Sequence, residues 1–327
     1  KGIDNPVFWT AYLKASFKGG EAARNKCLTC HAPIARLTGD SSLVTPLTHE
    51  SINCDYCHTI TDIKTSDPEH FYRHTLGLTK QGPLQDARSP LHETKYNELF
   101  VSSQYCAGCH EYQDENGNNL IETYSEWKAG PYPAEGITCQ SCHMKKTPGS
   151  IVDKAIAPSS RNDISAHDFS GGHSLSMRAQ SLLLSIENVR IVRQKISITV
   201  LLTNQGAGHK IPTGLPSKKL TLQVSVKSKN GDWMETQQRT YQKVIVDPQG
   251  NRLNDDADIM MGKGARIVTD NRLAPREKRQ EKFVFFVPEG EGDLVSATTW
   301  YSHDPEVIQA SPIRIKMNEA SHSLRSQ

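Results

Sequence analysis

Cys106-Ala107-Gly108-Cys109-His110 is the third of four copies of one pattern. The others are Cys27-Leu28-Thr29-Cys30-His31, Cys54-Asp55-Tyr56-Cys57-His58 and Cys139-Gln140-Ser141-Cys142-His143. Two cysteines three positions apart sit about one helical turn from each other, so both sulfurs can reach the two vinyl groups of one haem. The next residue, His, then lies beneath the ring and offers its imidazole to the iron as proximal ligand. A single Cys-x-x-Cys pair could instead be a zinc knuckle, a redox dithiol or a disulfide. Histidine is 13 of 327 residues, so its presence after all four pairs by accident has odds of roughly one in several hundred thousand, which sets chance aside. Four pairs could close two Cys₄ zinc sites, but zinc does not explain the constant fifth residue. All eight cysteines lie inside the motifs, leaving none for a disulfide, a catalytic thiol or a cluster. The expectation is four covalent haem c groups, held by Cys27, Cys30, Cys54, Cys57, Cys106, Cys109, Cys139 and Cys142, with His31, His58, His110 and His143 as proximal ligands.

Composition agrees with this. Hydrophobic residues make up 36% of the chain, low for a globular protein, and porphyrin faces would supply the missing apolar surface. A ferric haem with both propionates ionised adds about −1 and a ferrous haem about −2. The polypeptide's +2 would thus become about −2 oxidised and about −6 reduced, a balance that gives no case for nucleic acid or a membrane surface. No apolar run reaches membrane-span length and no signal peptide is visible. Haem attachment of this kind is expected outside the cytoplasm, so a periplasmic or extracellular location is expected, with Lys1 following a targeting segment.

Residues 1–26 read as a helix leading to the first motif, with Phe8, Trp9, Tyr12, Leu13 and Phe17 at helical spacing. His49 stands just before the second motif, either as a distal ligand or as a surface residue in a turn. Residues 59–105 carry His70, His74 and His92 among Pro68, Gly77, Gly82, Pro83 and Pro90, and read as mostly irregular wrapping and ligation, with a helix-like stretch at Leu91–Val101. Asn116-Gly117 signals a hairpin turn. In His167-Asp168-Phe169-Ser170-Gly171-Gly172-His173 two histidines flank glycines that let a backbone approach a flat ligand, so at least one of the two is expected as a distal ligand.

From about residue 183 the period changes to two. Ile196, Ile198, Val200 and Leu202 alternate with more polar positions, as do Leu220, Leu222, Val224 and Val226. Asn230-Gly231 turns the chain toward Met234–Val246, and further strands are expected at Arg266–Thr269, Phe283–Val287, Leu294–Trp300 and Ile313–Met317. These read as an antiparallel β-sandwich, Ig-like. The basic run at 276–282 reads as a solvated edge. One loop breaks the pattern: Asn204-Gln205-Gly206-Ala207-Gly208-His209-Lys210-Ile211-Pro212-Thr213-Gly214 carries His209 at its tip, either as an incidental loop residue or, as preferred, as a distal ligand inserted toward the haems.

The motifs, with FVSSQYCAGCHEY, TYSEWKAGPYPAEGITCQSCHM, HDFSGGHS and NQGAGHKIPTGLP, resemble multihaem c-type cytochromes of the tetrahaem family that serves hydroxylamine oxidation and related respiratory chains. Some members of that wider group assemble as extracellular filaments. The resemblance covers most of residues 5–216. It implies His/His ligation, close haem packing and long-range electron transfer, and carries the axial role to His92, His167 and His209.

The fold class expected is α+β: a mostly helical and irregular tetrahaem domain at 1–182, an Ig-like antiparallel β-sandwich at 183–320, and a tail at 321–327. The function expected is electron transfer. The alternatives are a small-molecule oxidoreductase with one open haem, or a subunit of a conductive filament. Candidate distal ligands are His209, His92 and His167, then His49, His74 and His173. Expected partners are redox proteins or further copies of the chain, as a homo-oligomer or filament, with no nucleic acid and no transmembrane segment. Similar chains carry a further His ahead of the segment matching Asn5-Pro6-Val7-Phe8. Two readings follow: one iron draws its second ligand from outside this chain, with His303 or His322 presented to a neighbour, or a monomer satisfies all four irons with its own histidines.

Overall fold

The computed structural model describes residues 3, 6–64, 71–150, 152–153, 155–156, 161–172, 174–303 and 313–324. His70 and His173 lie outside the described residues.

The alternating apolar runs of the second half form seven strands. They are β1 (Leu182–Val192), β2 (Lys195–Asn204), β3 (Lys218–Ser228), β4 (Trp233–Tyr241), β5 (Lys278–Phe286), β6 (Gly292–His303) and β7 (Ile313–Ser323). One antiparallel sheet has the order β5-β2-β1, the other β4-β3-β6-β7. Inward residues of both sheets meet in one apolar core. Ile198 and Val200 of β2, Leu222 and Val224 of β3, Phe283 and Phe285 of β5, and Val295 of β6 are all buried there. The β3–β4 turn falls at Asn230-Gly231, where Gly231 takes φ 94°, a left-handed conformation that glycine adopts without a Cβ clash.

The chain between β4 and β5 leaves the sandwich. Lys243–Val246 pairs antiparallel with Arg252–Leu253 and Arg266–Asp270, and a short helix, Asp256–Met260, lies within the insertion. This insertion docks the two halves. Ala257 packs on Ala15 and Ala23 of the first helix, Lys14 and Lys18 reach Asp255, and the Asn116 amide donates to the carbonyls of Gly262 (2.8 Å) and Gly264 (2.9 Å).

The first half has a long helix, Pro6–His31, broken by the non-helical backbone of Gly20, followed by short helices and two-stranded ribbons. Its buried residues form small separate clusters, such as Phe8, Tyr12 and Leu28 around the first motif and Tyr56, Ile60 and Leu99 around the second and third.

Several expectations are corrected. Phe17 shares the helical stripe with Tyr12 but is 91% exposed, because past that point the helix packs through its small Ala15 and Ala23 side chains instead. Leu91–Val101 is not a helix: Thr94–Tyr96 runs parallel to Lys80–Gly82, and only Glu98–Val101 turns, as a 3₁₀ element capped by Asn97. Met234–Val246 is two strands, and Arg266–Asp270 joins the insertion's sheet rather than the sandwich. β5 is a sheet edge, but its basic approach is more than a solvated rim, since Arg276 bonds Glu135 and stacks on Tyr132 of the first half. His303 has its Nε2 3.0 Å from Asp256 Oδ2 of the docking insertion. His322 sits on β7 opposite Val295. Among the described residues no helix is long and apolar enough to cross a membrane.

Candidate functional site

All four motifs fold the same way: each motif histidine is the last residue of its helix. Local sequence starts the short helices. Asn53 accepts from the Tyr56 N–H (2.8 Å), and Thr138 forms a capping box with Ser141 ahead of Cys139. The two cysteines of each pair then fall on adjacent turns of one helix with the imidazole beyond them.

The third motif is the hub. The Cys30 side chain lies beside that of Cys109, and that of Cys106 beside Cys139. The Tyr105 hydroxyl donates to the Cys57 carbonyl (3.2 Å), and the Cys139 N–H donates to Ser103 (3.0 Å). The first, second and fourth motifs therefore all touch the third, so groups anchored on their sulfurs are neighbours. Among the described residues no group of three or more His, Cys, Asp or Glu side chains is arranged to hold a metal ion on its own.

Two imidazole pairs face each other. The His143 and His209 rings are 6.4 Å apart between centroids and nearly parallel, at 12°. The His58 and His167 rings are also 6.4 Å apart, at 37°. In each of these four rings Nδ1 faces a backbone carbonyl: Gln81 for His58 (2.6 Å), Ser170 for His143 (2.6 Å), Ser165 for His167 (2.7 Å) and Lys210 for His209 (3.0 Å). A carbonyl only accepts, so Nδ1 carries the proton and Nε2 keeps its lone pair, the arrangement of a metal-binding histidine. Burial lowers the pKa of His209, and pushes that of His110 down to about 4 with help from the charges of Lys218 and His143. His110 nonetheless keeps a large share of its surface accessible.

The other candidates differ. His92 has Nδ1 3.0 Å from the Glu93 carbonyl and lines an open cavity of about 720 Å³ with Leu78, Arg88 and Leu91. His74 packs on Tyr56 and bonds Thr59, and burial lowers its pKa. His49 is exposed and its Nε2 bonds the Leu43 carbonyl (2.9 Å), occupying the nitrogen that the paired rings leave free.

Sequence reasoning passed over the side chains that hold the His209 loop in place. Glu126 accepts from the Lys210 N–H (3.1 Å) and the Thr213 hydroxyl (2.8 Å) and pairs with Arg272 (2.6 Å). Arg272 also binds Asp270 (2.7 Å) and the Pro212 carbonyl (3.3 Å). Burial opposes its charge, but Asp270 and Glu126 outweigh it and hold its pKa above the ordinary value. A Cβ on Gly206 would meet the Gln180 carbonyl at 2.3 Å, so glycine is what lets the loop pass there. The only signal in the chain was Glu126 inside the quoted TYSEWKAG stretch; Arg272 is 146 residues away.

Residues 10–59, spanning the first two motifs, match the family model described as cytochrome c554 and c-prime. The fold is similar to that of a penta-haem cytochrome c552 from Thermochromatium tepidum, with a TM-score of 0.72 and 21% identity over 91% of this chain and 83% of that one. The CARDB domain of PF1109 from Pyrococcus furiosus (14% identity, 43% of this chain and 84% of that one, TM-score 0.21) and a Bacteroides uniformis beta-glucuronidase (12%, 44% and 12%, TM-score 0.21) are too distant to carry an argument. No curated protein matches the chain. Together the family match and the c552 fold support a multihaem c-type cytochrome.

Proposed function

We propose that the chain is an electron carrier with four c-type haems, each anchored by the cysteines of one motif and ligated by that motif's histidine. His167 completes the site of His58 and His209 that of His143. The observation that carries this reading is the 6.4 Å separation of both pairs. Two metal–nitrogen bonds of about 2 Å plus the two ring radii give roughly 6 Å between centroids. When bound, haem with two imidazoles supplies a low-spin, low-potential one-electron centre. The chain's residues set its conditions. The backbone carbonyls at Gln81, Ser165, Ser170 and Lys210 fix the tautomers, and Glu126 with Arg272 fixes the His209 loop. His92, in its open cavity with Arg88 at hand for a propionate, is the next distal candidate, and the hub at Cys106–His110 makes the four sites one conductive cluster.

Domains at 1–182 and 183–320 follow from this reading, and the strand order of the two sheets supports an Ig-like sandwich. Periplasmic or extracellular respiration is the setting proposed, with redox proteins or copies of the chain as partners. Mass spectrometry of the denatured chain tests the haem count, with four retained haems expected. Low-temperature EPR of the oxidised protein tests ligation: low-spin signals throughout mean a carrier, whereas a high-spin ferric signal means an open site for substrate.

A further inference from the structure

The sandwich turns one face away from its core. On β3, Gln223 and Ser225 alternate with the buried Leu222 and Val224 and point outward. Beside them on β6 stand Ser296, opposite Ser225, and Thr298, opposite Gln223. These short hydroxyl side chains are nonetheless buried, because taller neighbours rise around them. Trp233 stands at one end and Trp300 at the other, with Lys316 and Glu319 of β7 along the side. Together they enclose a cleft of about 230 Å³.

The donors and acceptors in this cleft are set. The Gln223 carbonyl oxygen accepts from Arg314 (2.8 Å), which fixes the amide and leaves its NH₂ as the donor on offer. Lys316 holds the Glu319 carboxylate in place at 2.8 Å. The Arg314 guanidinium lies 4.4 Å from the Trp300 ring centroid and steadies that ring. Among the described residues the buried Trp300 indole N–H meets no hydrogen-bond partner, a state that costs stability. Trp233 is 57% exposed, a large apolar surface kept open beside a polar floor.

We propose that this face is a binding site for a neutral oligosaccharide. A sugar ring has an apolar C–H face, which gains by covering indole, and a rim of hydroxyls that both donate and accept. Indole walls, a floor of hydroxyls, and an amide and a carboxylate at the edge match both features at once. Within the chain Ser225 is hydrogen-bonded to Thr236 (2.8 Å) and Ser296 to Glu319 (3.4 Å), so an apolar peptide would leave the Gln223 NH₂ unmatched, and a nucleic acid would meet the Glu319 carboxylate. The haem sites take no part in the site, and the proposal stands independently of the electron-transfer reading.

Isothermal titration calorimetry of the holoprotein with cellohexaose, xylohexaose and chitohexaose tests it. At least one should bind with Kd between about 10 µM and 1 mM, a range accessible to the method. Trp233→Ala, at an exposed position that folding does not need, should weaken that binding by about tenfold or more, as loss of an aromatic anchor does. Trp300→Phe, which keeps a ring but removes the N–H, should weaken it less. Visible haem spectra unchanged from the parent certify that each variant is intact. Absence of heat with all three sugars at about 5 mM, or full affinity in Trp233→Ala, overturns the proposal.

Discussion

The two halves of this chain solve the problem of holding together in different ways. The sandwich has one continuous core in which Leu220, Leu222, Val224 and Val226 are wholly buried and faced by Phe283 and Phe285. The motif half divides its buried side chains among small clusters and spends much of its length on short helices and ribbons. Apolar area of that size does not by itself offset the chain entropy of some 180 residues. The contrast implies that the first half, on the haem proposal, should need its covalent groups in order to fold, while the second folds around its own core.

The largest effect should come from removing the hub. If each motif holds one haem, as proposed, Cys106→Ser with Cys109→Ser should leave a chain with three haems by mass. Because the third motif touches the other three, hydrogen exchange should show protection lost across the first half while β2, β3 and β6 keep theirs. Protection retained at Gln104–His110 in the three-haem protein would mean that the half is a self-sufficient fold, and the contrast would fail.

Next comes the joint between the halves. Arg272→Ala leaves Glu126 buried and unmatched, and losing one partner of a buried pair costs about 3–5 kcal/mol. Since Glu126 also holds Lys210 and Thr213, the His209 loop should loosen and one haem signal should change in EPR. By contrast, Leu222→Ala, deep in the sandwich, should cost about 2–5 kcal/mol in urea unfolding and leave all haem signals as they were. The pair of variants separates a residue that stabilises from one that also positions a ligand.

How much of this was legible in the chain follows from the range of each signal. Four Cys-x-x-Cys-His motifs announce themselves locally, and period-two alternation announces strands, so both halves could be outlined. His167 and His209 were singled out from the glycines around them. Alternation does not say which sheet a strand joins, so Lys243–Val246 was read as the end of β4 although it pairs within the docking insertion. Helical spacing at Phe17 does not say where a helix stops being covered. The Glu126–Arg272 pair is a tertiary contact with no local trace, and the Leu91–Val101 stretch yields to a parallel pairing with Lys80–Gly82 that only the folded chain supplies.

A subtler change probes the ligands themselves. His209→Met exchanges an imidazole for a thioether, which favours the ferrous state. One of the haem potentials should rise by on the order of 100 mV, within the roughly 0.8 V span that axial ligands command, with the others nearly unmoved. His167→Met should do the same to a different haem. His49→Met should move none, because its Nε2 already serves the Leu43 carbonyl. An unchanged redox titration in His209→Met would return that residue to the role of a loop histidine.

The smallest effect tests how the first half orders its loops without a core. Asp40 accepts from the N–H groups of Thr45 (2.8 Å) and Val44 (2.9 Å) and from the hydroxyls of Thr48 and Thr45 (3.0 Å each). Those hydrogen bonds, the Thr45 N–H first, lower its pKa to about 2. A carboxylate depressed in the folded state contributes its full stabilisation above the unfolded value of about 3.9, and that contribution fades as pH falls through the folded value. Between about pH 4 and pH 2 the segment 40–49 should therefore lose amide protection ahead of the strands, while the contribution of Asp40 stays constant from pH 5 to 7. Asp40→Asn, which keeps an acceptor but not the charge, should lower protection at neutral pH slightly and remove the acid step. A step that persists in the variant would assign the acid sensitivity of this segment to a different group.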